Sequence, residues 1–141
     1  MVQKKMIKST WPYHSKEEIN QAIKVLKSGK TNYWVGNICK TFEYKFSKYI
    51  GVKYGITIAN GSLALDAAIE ALEFTPSDEI LVTPRSYMSS ASCIIRSGQK
   101  AKFVDVDLNS QNIDPKKIEK AINKNTKGII CVHLSGYPCD M

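Results

Sequence analysis

A possible phosphate site lies where a run of β-forming residues gives way to a helical pattern. Residues 56–59 are apolar or β-branched, and the turn Asn60-Gly61-Ser62 follows them directly. Such a junction directs backbone N–H groups and the positive end of a helix dipole at one spot, which favours an anion such as phosphate. Gly61 allows close approach of the backbone, and Ser62 can cap the helix and donate its hydroxyl. The same turn also connects a strand to a helix efficiently without any ligand, so the residues alone leave both interpretations open.

Three other side chains could do chemistry but are more typical of structural roles. Asp105 and Asp107 lie near the end of a predicted strand and could form a metal site or an acid–base pair, yet no third ligand or histidine lies nearby in the sequence. We therefore expect solvated or capping carboxylates. His133 follows a buried-type strand and could act as a general base, although a single histidine there is more often structural.

The cysteines indicate no zinc site. They are Cys39, Cys93, Cys131 and Cys139, and their spacings match no common zinc pattern. Cys93 and Cys131 lie in apolar stretches, so we expect both to be small buried hydrophobes. A reduced, cytoplasmic protein is the simplest interpretation.

The sequence predicts neither a membrane span nor a signal peptide. No apolar run is long enough to cross a bilayer, and residues 1–6 lack the apolar core of a secretory leader. We therefore expect no membrane partner.

Strand and helix patterns alternate along the chain. Helices are predicted over about 15–29, up to Gly51 through Phe42, Phe46 and Tyr49, over about 61–73, over about 86–97, and from Pro115. Strands are predicted over about 54–59, 79–83, 101–106 and 128–133. Four strands with short helical connections predict an α/β fold with a mainly parallel sheet, helices on both faces, and one domain over residues 1–141. Ligands bind such sheets beyond the carboxyl ends of the strands, where Asn60–Ser62, Pro84–Tyr87 and His133–Tyr137 fall.

The positive charge of the chain favours an anionic ligand over a nucleic acid. The net charge is +7, from 20 basic and 13 acidic residues. The lysines are scattered on predicted helix faces, namely Lys16, Lys24, Lys27, Lys116, Lys117, Lys120 and Lys124. Solvated faces explain this pattern better than a nucleic-acid groove, and the same field favours an anionic substrate or cofactor.

Several tracts, taken in order, resemble one known family. They are residues 11–13 with 28–30, 32–36, 42–43 with 49–54, 60–65, 82–87, 103–107 and 132–141. Together they are similar to the pyridoxal-phosphate-dependent sugar aminotransferases of the DegT/DnrJ/EryC1/StrS family, within the fold-type I enzymes. The resemblance implies the amino-terminal portion of the large domain. Residues 1–52 would form the amino-terminal helices and the substrate-side loop, and residues 53–141 the alternating β/α part of the cofactor domain.

The resemblance implies a cofactor site for pyridoxal phosphate. Gly61 and Ser62 fall where the family binds the cofactor phosphate, and Leu63 would add a backbone N–H there. Tyr87 falls where an aromatic ring stacks on the pyridine ring, as a flat face suits a flat π-system. Without the family, Tyr87 would be read as an ordinary buried tyrosine.

The loop containing Tyr33, Trp34 and Gly36 resembles the family segment near the sugar substrate. The residues themselves are equally typical of a loop that its aromatic side chains pin in place. Substrate binding and simple packing both stay open for this segment.

The activity implied by the resemblance is amino transfer from a donor expected to be glutamate to a keto sugar on a nucleotide, in cell-surface polysaccharide or secondary-metabolite biosynthesis. The family is usually homodimeric. Its Schiff-base lysine and its pyridinium-binding aspartate lie downstream of the segment that 132–141 matches. No catalytic residue is therefore assigned, and we expect the 141-residue chain to be inactive and poorly soluble by itself.

Three alternatives remain. Some relatives carry histidine in place of the lysine and act as sugar dehydratases. A non-catalytic nucleotide-binding module would show a G-x-G-x-x-G turn, and residues 60–65 lack those glycines. A nucleic-acid-binding domain would need lysines that converge on one face and an affinity that falls steeply with salt.

Overall fold

The computed structural model describes residues 11–141, so the expectation about residues 1–6 lies outside the described part. The chain divides into two compact units, the first ending at Thr57 and the second beginning at Ile58. The first unit contains helices α1 (Lys16–Ser28) and α2 (Ile38–Ile50). The second contains α3 (Gly61–Glu70), β1 (Glu79–Val82), α4 (Ser89–Arg96), β2 (Lys100–Phe103), α5 (Pro115–Ala121), β3 (Thr126–Ile130) and a 3-10 turn at Leu134–Gly136. The single domain predicted over residues 1–141 stays a prediction.

Capping residues correctly predict where α1 begins and where both helices of the first unit end. Ser15 Oγ accepts from the Glu18 N–H at 3.2 Å, and the Glu18 carboxylate accepts from the Ser15 N–H at 2.6 Å, which forms a capping box. Gly29 and Gly51 adopt left-handed conformations with φ of 67° and 81° and close α1 and α2.

The sheet of the second unit is parallel, as predicted. Its strand order is β2-β1-β3, and β1 is the central strand. Ile80, Leu81 and Val82 are almost completely buried, which is typical of a strand covered on both faces.

Helices cover both faces of this sheet, which confirms the predicted architecture. Ile80 and Val82 pack with Ile69 of α3 and with Cys93 and Ile94 of α4. On the other face, the core contains Leu81, Val104, Ile113 and Cys139, with Ile118 of α5 against it. The carboxyl ends of the strands are thereby fixed at one edge.

The strand predicted over 54–59 is wrong, because no described residue pairs with this segment in a sheet. Thr57 instead donates its N–H to Glu43 Oε1 at 2.8 Å. A Cβ on Gly55 would lie 2.9 Å from the Glu43 carbonyl oxygen, so the segment runs directly against α2. Contact with a helix replaces the ladder that the β-branched residues suggested.

Other elements also differ from their predicted bounds, since α3 ends at Glu70 instead of about residue 73 and β3 ends at Ile130 instead of residue 133. Helix α4 begins at Ser89, three positions after Ser86, because the preceding residues form a turn in which Thr83 Oγ1 accepts from the Arg85 N–H at 3.1 Å. The strand predicted over 101–106 ends at Phe103.

The cysteine predictions are confirmed in part. Cys93 is buried, and burial raises the pKa of its thiol. Cys131 is only half-buried, because β3 ends at Ile130 and the chain leaves the sheet there. Within residues 11–141, no helix is both long and apolar enough to cross a bilayer.

Candidate functional site

The first turn of α3 is built by its cap residue. Asn60 is extended, with φ of −162°, and its Oδ1 accepts from the Leu63 N–H at 3.0 Å. The Asn60 carbonyl also accepts from the Ala64 N–H at 3.1 Å. The amide of Leu63, which the resemblance assigned to a phosphate, is therefore already donated to the cap.

Two amides at this turn keep their donors available. Within the described range 11–141, the structure gives the N–H groups of Gly61 and Ser62 no acceptor. Gly61 is exposed and Ser62 is half-buried. An exposed helix N-terminus with unused donors is a site that an anion can occupy.

The glycine at position 61 is not required by the packing of the chain itself. Its φ is not positive, and a Cβ built on Gly61 would have no heavy atom within 4 Å. An alanine would fit the fold equally well. The open space at this Cβ position is what a closely approaching phosphate would need, so these residues fit the phosphate of pyridoxal phosphate.

A cleft of about 570 Å³ lies beyond the carboxyl ends of β1 and β3. Its lining includes Arg85, Ser86, Tyr87, Ser90, His133 and Leu134. The Tyr87 side chain is 78% exposed, so its ring is available to a ligand and is not the buried tyrosine that the residue type alone suggested. The Ser86 and Ser90 hydroxyls are 2.7 Å apart and hydrogen-bond to each other.

The structure brings Tyr87 and His133 to this one cleft. Among the described residues, those that line it do not include Gly61, Ser62 or Leu63. Helix α3 packs on α4, which begins in the cleft wall, and Asp66 and Arg96 join the two helices at 3.0 Å. The predicted phosphate position is therefore the first turn of α3, and the predicted ring position, Tyr87, lies two residues before α4 begins.

His133 is held by the backbone. Its Nδ1 accepts from the Cys139 N–H at 3.0 Å, which assigns the ring proton of the neutral imidazole to Nε2. The bond closes the loop between the end of β3 and Cys139. This geometry agrees with the structural role that we favoured for His133.

Asn112 fixes the same loop, and the sequence analysis missed it. Its side chain is almost fully buried, donates to the carbonyls of Tyr137 at 2.9 Å and Pro138 at 3.0 Å, and accepts from the Leu134 N–H at 3.1 Å. All three bonds reach residues more than twenty positions away, so no local pattern could have revealed them. One wall of the cleft therefore depends on a buried amide.

Asp107 caps a turn and Asp105 is a solvated, ion-paired carboxylate, which agrees with the expected solvated or capping roles. Asp107 Oδ1 accepts from the N–H groups of Asn109 and Ser110 at 3.0 and 2.8 Å, and these bonds, led by that of Ser110, hold the pKa of Asp107 below its usual value. Asp105 Oδ1 accepts from the Val106 N–H at 2.8 Å, while Oδ2 pairs with Lys117 Nζ at 3.1 Å. The bond from Val106 and then the ion pair lower the pKa of Asp105.

The aromatic loop of the first unit is held by its own backbone. Asn32 Oδ1 accepts from the N–H groups of Trp34 and Val35 at 3.0 and 3.2 Å. Gly36 is buried, and a Cβ there would lie 2.7 Å from the Lys30 carbonyl oxygen, so the loop tolerates only glycine. Packing therefore explains Gly36 without a substrate.

Two aromatic side chains project from this loop. The rings of Tyr33 and Trp34 meet edge to face with centroids 6.2 Å apart, and the Trp34 side chain is 86% exposed. The Tyr33 hydroxyl donates to Glu43 Oε2 at 3.1 Å, which raises the pKa of the phenol. Glu43 entered the sequence analysis only within a matching tract, because a helical glutamate carries no pattern that predicts such a contact.

Comparison with known proteins identifies relatives for nearly the whole described range. Residues 12–141 match the model of the DegT/DnrJ/EryC1/StrS aminotransferase family. The chain is 43% identical over 126 residues to a dTDP-3-amino-3,6-dideoxy-alpha-D-galactopyranose transaminase from Aneurinibacillus thermoaerophilus, which covers 89% of this chain and 34% of that protein.

Solved structures give the same result. An aminotransferase from Psychrobacter cryohalolentis superposes with a TM-score of 0.90 at 42% identity, over 94% of this chain and 33% of that one. A GDP-4-keto-6-deoxymannose-3-dehydratase with a trapped PLP-glutamate geminal diamine superposes with a TM-score of 0.80 at 34% identity, over 94% of this chain and 35% of that one. The chain spans about a third of the length of these relatives.

Proposed function

Because the chain belongs to the DegT/DnrJ/EryC1/StrS aminotransferase family, we propose that it forms the phosphate-binding and substrate-side part of a pyridoxal-phosphate enzyme. The reaction is transfer of an amino group to a keto sugar carried on a nucleotide. A relative named as a transaminase for a dTDP-linked amino sugar supports the substrate class. The PLP-glutamate adduct in a related structure supports glutamate as the donor. We extend the proposal to a cytoplasmic homodimer, following the family resemblance.

One observation carries this proposal: an exposed helix N-terminus with two unused amides beside a glycine that the chain does not need. Charge-assisted bonds from backbone N–H groups to a phosphate are stronger than bonds between neutral groups. Gly61 and Ser62 can donate to the phosphate without breaking the Asn60 cap, and the Ser62 hydroxyl adds a third donor. Leu63 contributes only if its bond to Asn60 is shared or exchanged.

The remaining residues orient the reacting molecules. The exposed Tyr87 ring would lie against the pyridine ring and exclude water from that face. The Tyr33 and Trp34 rings would lie beside the sugar, and the buried Gly36 would shape the turn that presents them. When bound, pyridoxal phosphate supplies an electron sink for charge that develops next to the transferred nitrogen. The cap, the turn and the aromatic ring of this chain hold that group at a fixed position.

Dehydration of the sugar is the second candidate. The relative with a TM-score of 0.80 is a 3-dehydratase of a GDP-linked keto sugar, so this portion of the fold also occurs with that outcome. Incubation of the whole enzyme with glutamate and a keto sugar nucleotide separates the two, since amination yields an amino sugar whereas dehydration yields a deoxy sugar.

The phosphate assignment is tested by titration of the whole enzyme that contains this chain, followed through its backbone amide NMR signals. We expect pyridoxal phosphate and inorganic phosphate to shift the Gly61 and Ser62 amides, and pyridoxal without its phosphate to leave them in place. The first turn of α1 is the matched control, because its capping box and the carboxylates of Glu17 and Glu18 disfavour an anion. Equal shifts at both helices, or none at Gly61 and Ser62, would overturn the assignment.

A further inference from the structure

Both carboxylate oxygens of Glu43 are used to join two segments of the first unit. Oε1 accepts from the Thr57 N–H and from the Thr57 hydroxyl, each at 2.8 Å. Oε2 accepts from the Tyr33 hydroxyl at 3.1 Å. Three donors on one carboxylate form a geometry that a solvated surface glutamate does not have.

The two segments come from opposite sides of Glu43 in the sequence. Tyr33 lies ten residues before it, in the aromatic loop, and Thr57 lies fourteen residues after it. Packing supports the same connection, because a Cβ on Gly55 would lie 2.9 Å from the Glu43 carbonyl oxygen. We call Tyr33, Glu43 and Thr57 the carboxylate clasp.

Hydrogen bonds, with a smaller contribution from one nearby charge, favour the ionised form of Glu43. Bonds from the backbone and hydroxyl of Thr57, together with the Tyr33 hydroxyl and the nearby Lys40, hold the pKa of Glu43 below its usual value. Lys40 Nζ also lies 5.5 Å from the centre of the Tyr33 ring, within range of a cation–π contact. The phenol of Tyr33 is thus held by its hydroxyl and by its face.

We propose that Glu43 is a positioning residue, which fixes the loop of Tyr33 and Trp34 for the sugar-nucleotide ligand by tying it to the segment at Thr57. The inference rests on the proposed function for the identity of the ligand. Glu43 does not contact that ligand; it acts through Tyr33. Holding the loop and its Tyr33 side chain in place before binding lowers the conformational entropy that binding must remove.

This role predicts a separation between two ligands. The clasp lies wholly within the first unit, whereas the Gly61 and Ser62 amides lie in the second. Loss of Glu43 should therefore weaken binding of a sugar nucleotide and leave binding of pyridoxal phosphate close to that of the wild type. A general loss of folding would weaken both.

Glu43→Ala removes the clasp, and Glu43→Gln is the conservative variant. Glutamine keeps an acceptor oxygen for Thr57, and its amide can donate to the Tyr33 oxygen, so part of the affinity should return. Glu17→Ala, at an exposed helical glutamate of the same unit, is the matched control. The measurements are hydrogen exchange of the Thr57 amide, NMR titration of the Tyr33 phenol, and binding of dTDP-glucose and of pyridoxal phosphate.

For Glu43→Ala we expect Thr57 exchange to rise about tenfold, the pKa of Tyr33 to fall toward its ordinary value, and dTDP-glucose to bind about tenfold more weakly. Glu43→Gln should lower the pKa of Tyr33 relative to the wild type and recover part of the dTDP-glucose binding that Glu43→Ala loses. If Glu43 only stabilised the fold, the Tyr33 pKa and dTDP-glucose binding would not respond in this way. The inference is overturned if Thr57 and Tyr33 behave as in the wild type, or if both ligands weaken equally. A wild-type protein that binds neither ligand overturns the proposed function, while exchange and titration still decide the clasp.

Discussion

The aromatic loop at residues 31–37 and the turn at residues 60–63 both carry a glycine, a polar cap residue and predicted ligand contacts, yet they differ in how the chain uses them. In the loop, Gly36 is buried, and a Cβ there would lie only 2.7 Å from the Lys30 carbonyl oxygen. Asn32 satisfies two backbone amides of the same loop. The loop is explained by the chain alone.

The turn at residues 60–63 has backbone N–H donors that the described chain does not use. Asn60 satisfies one amide, that of Leu63, while Gly61 and Ser62 have no acceptor within residues 11–141. Gly61 also faces open space where a side chain would fit. A feature that packing requires indicates folding, whereas one that packing does not require is better evidence for a ligand. On this criterion the turn at residues 60–63 is the stronger candidate site. In the loop at residues 31–37, only the exposed aromatic rings remain available to a substrate.

The largest effect on stability should come from Asn112. Like the loop at residues 31–37, its side chain makes hydrogen bonds within the chain itself. Asn112→Ala would leave two carbonyls and one amide of the 134–138 segment unpaired, at about 1 kcal/mol each, so we expect a loss of about 3 kcal/mol in the free energy of unfolding. Urea denaturation measures it. Asn109→Ala, at an exposed position nearby, should change stability little, and equal effects would mean that the buried Asn112 amide does not hold this segment.

The glycines provide a direct test of the comparison. Gly36→Ala would place a Cβ 2.7 Å from a backbone oxygen, so we expect about 2 kcal/mol of destabilisation from the backbone shift that follows. Gly61→Ala should be neutral or stabilise by up to about 1 kcal/mol, because it lowers the entropy of the unfolded chain without strain. Urea denaturation of the two variants side by side decides it. Similar losses at both positions would break the distinction between the two regions.

Gly61→Ala should weaken ligand binding although it does not reduce stability. The added methyl group of Gly61→Ala would occupy the space that the phosphate approaches, so we expect pyridoxal phosphate to bind about tenfold more weakly. Equilibrium dialysis measures the affinity, and pyridoxal without its phosphate is the control ligand. Unchanged affinity in a folded variant would mean that the open space at Gly61 has no role in binding.

The sequence predicted the parts of this fold that depend on local patterns. The capping box at Ser15, the glycine ends of α1 and α2, and the parallel sheet around Ile80–Val82 all follow from periodicity and cap chemistry. The segment 54–59 was wrongly predicted because β-branched residues indicate extended backbone but not its partner, and here the partner is α2.

The candidate site, like the fold, has parts that the sequence predicted and parts that it did not. The helix N-terminus at Gly61 is visible in the sequence because a turn and its helix are adjacent. Glu43 and Asn112 were missed because their partners lie ten or more residues away, and only the folded chain brings them together. The spacing of two residues along the sequence does not predict a hydrogen bond that depends on tertiary contact.

Stacking at Tyr87 should have a smaller effect than the phosphate contact. Replacing the ring by an aliphatic side chain in Tyr87→Leu removes an aromatic contact of about 1 kcal/mol, which corresponds to about fivefold weaker binding of pyridoxal phosphate. Tyr49→Leu is the matched control, because that side chain is also exposed, at 84%, but belongs to α2. Equal losses in the two variants would show that the cleft beside Tyr87 does not hold the cofactor ring.

The smallest effect on stability is expected at Asp107. Its carboxylate accepts hydrogen bonds from the chain's own backbone. Amides of Ser110 and Asn109 lower its pKa in the folded state, so the carboxylate contributes stability above its unfolded pKa of about 3.9. That contribution is lost as the pH falls through the lower, folded pKa. Asp107→Asn keeps an acceptor oxygen for the turn but cannot titrate, so the free energy of unfolding should fall less steeply below about pH 4 than in the wild type. Identical slopes would mean that the turn draws no stability from the charge, and Asp107 would then join Gly61 among the features that the chain does not itself require.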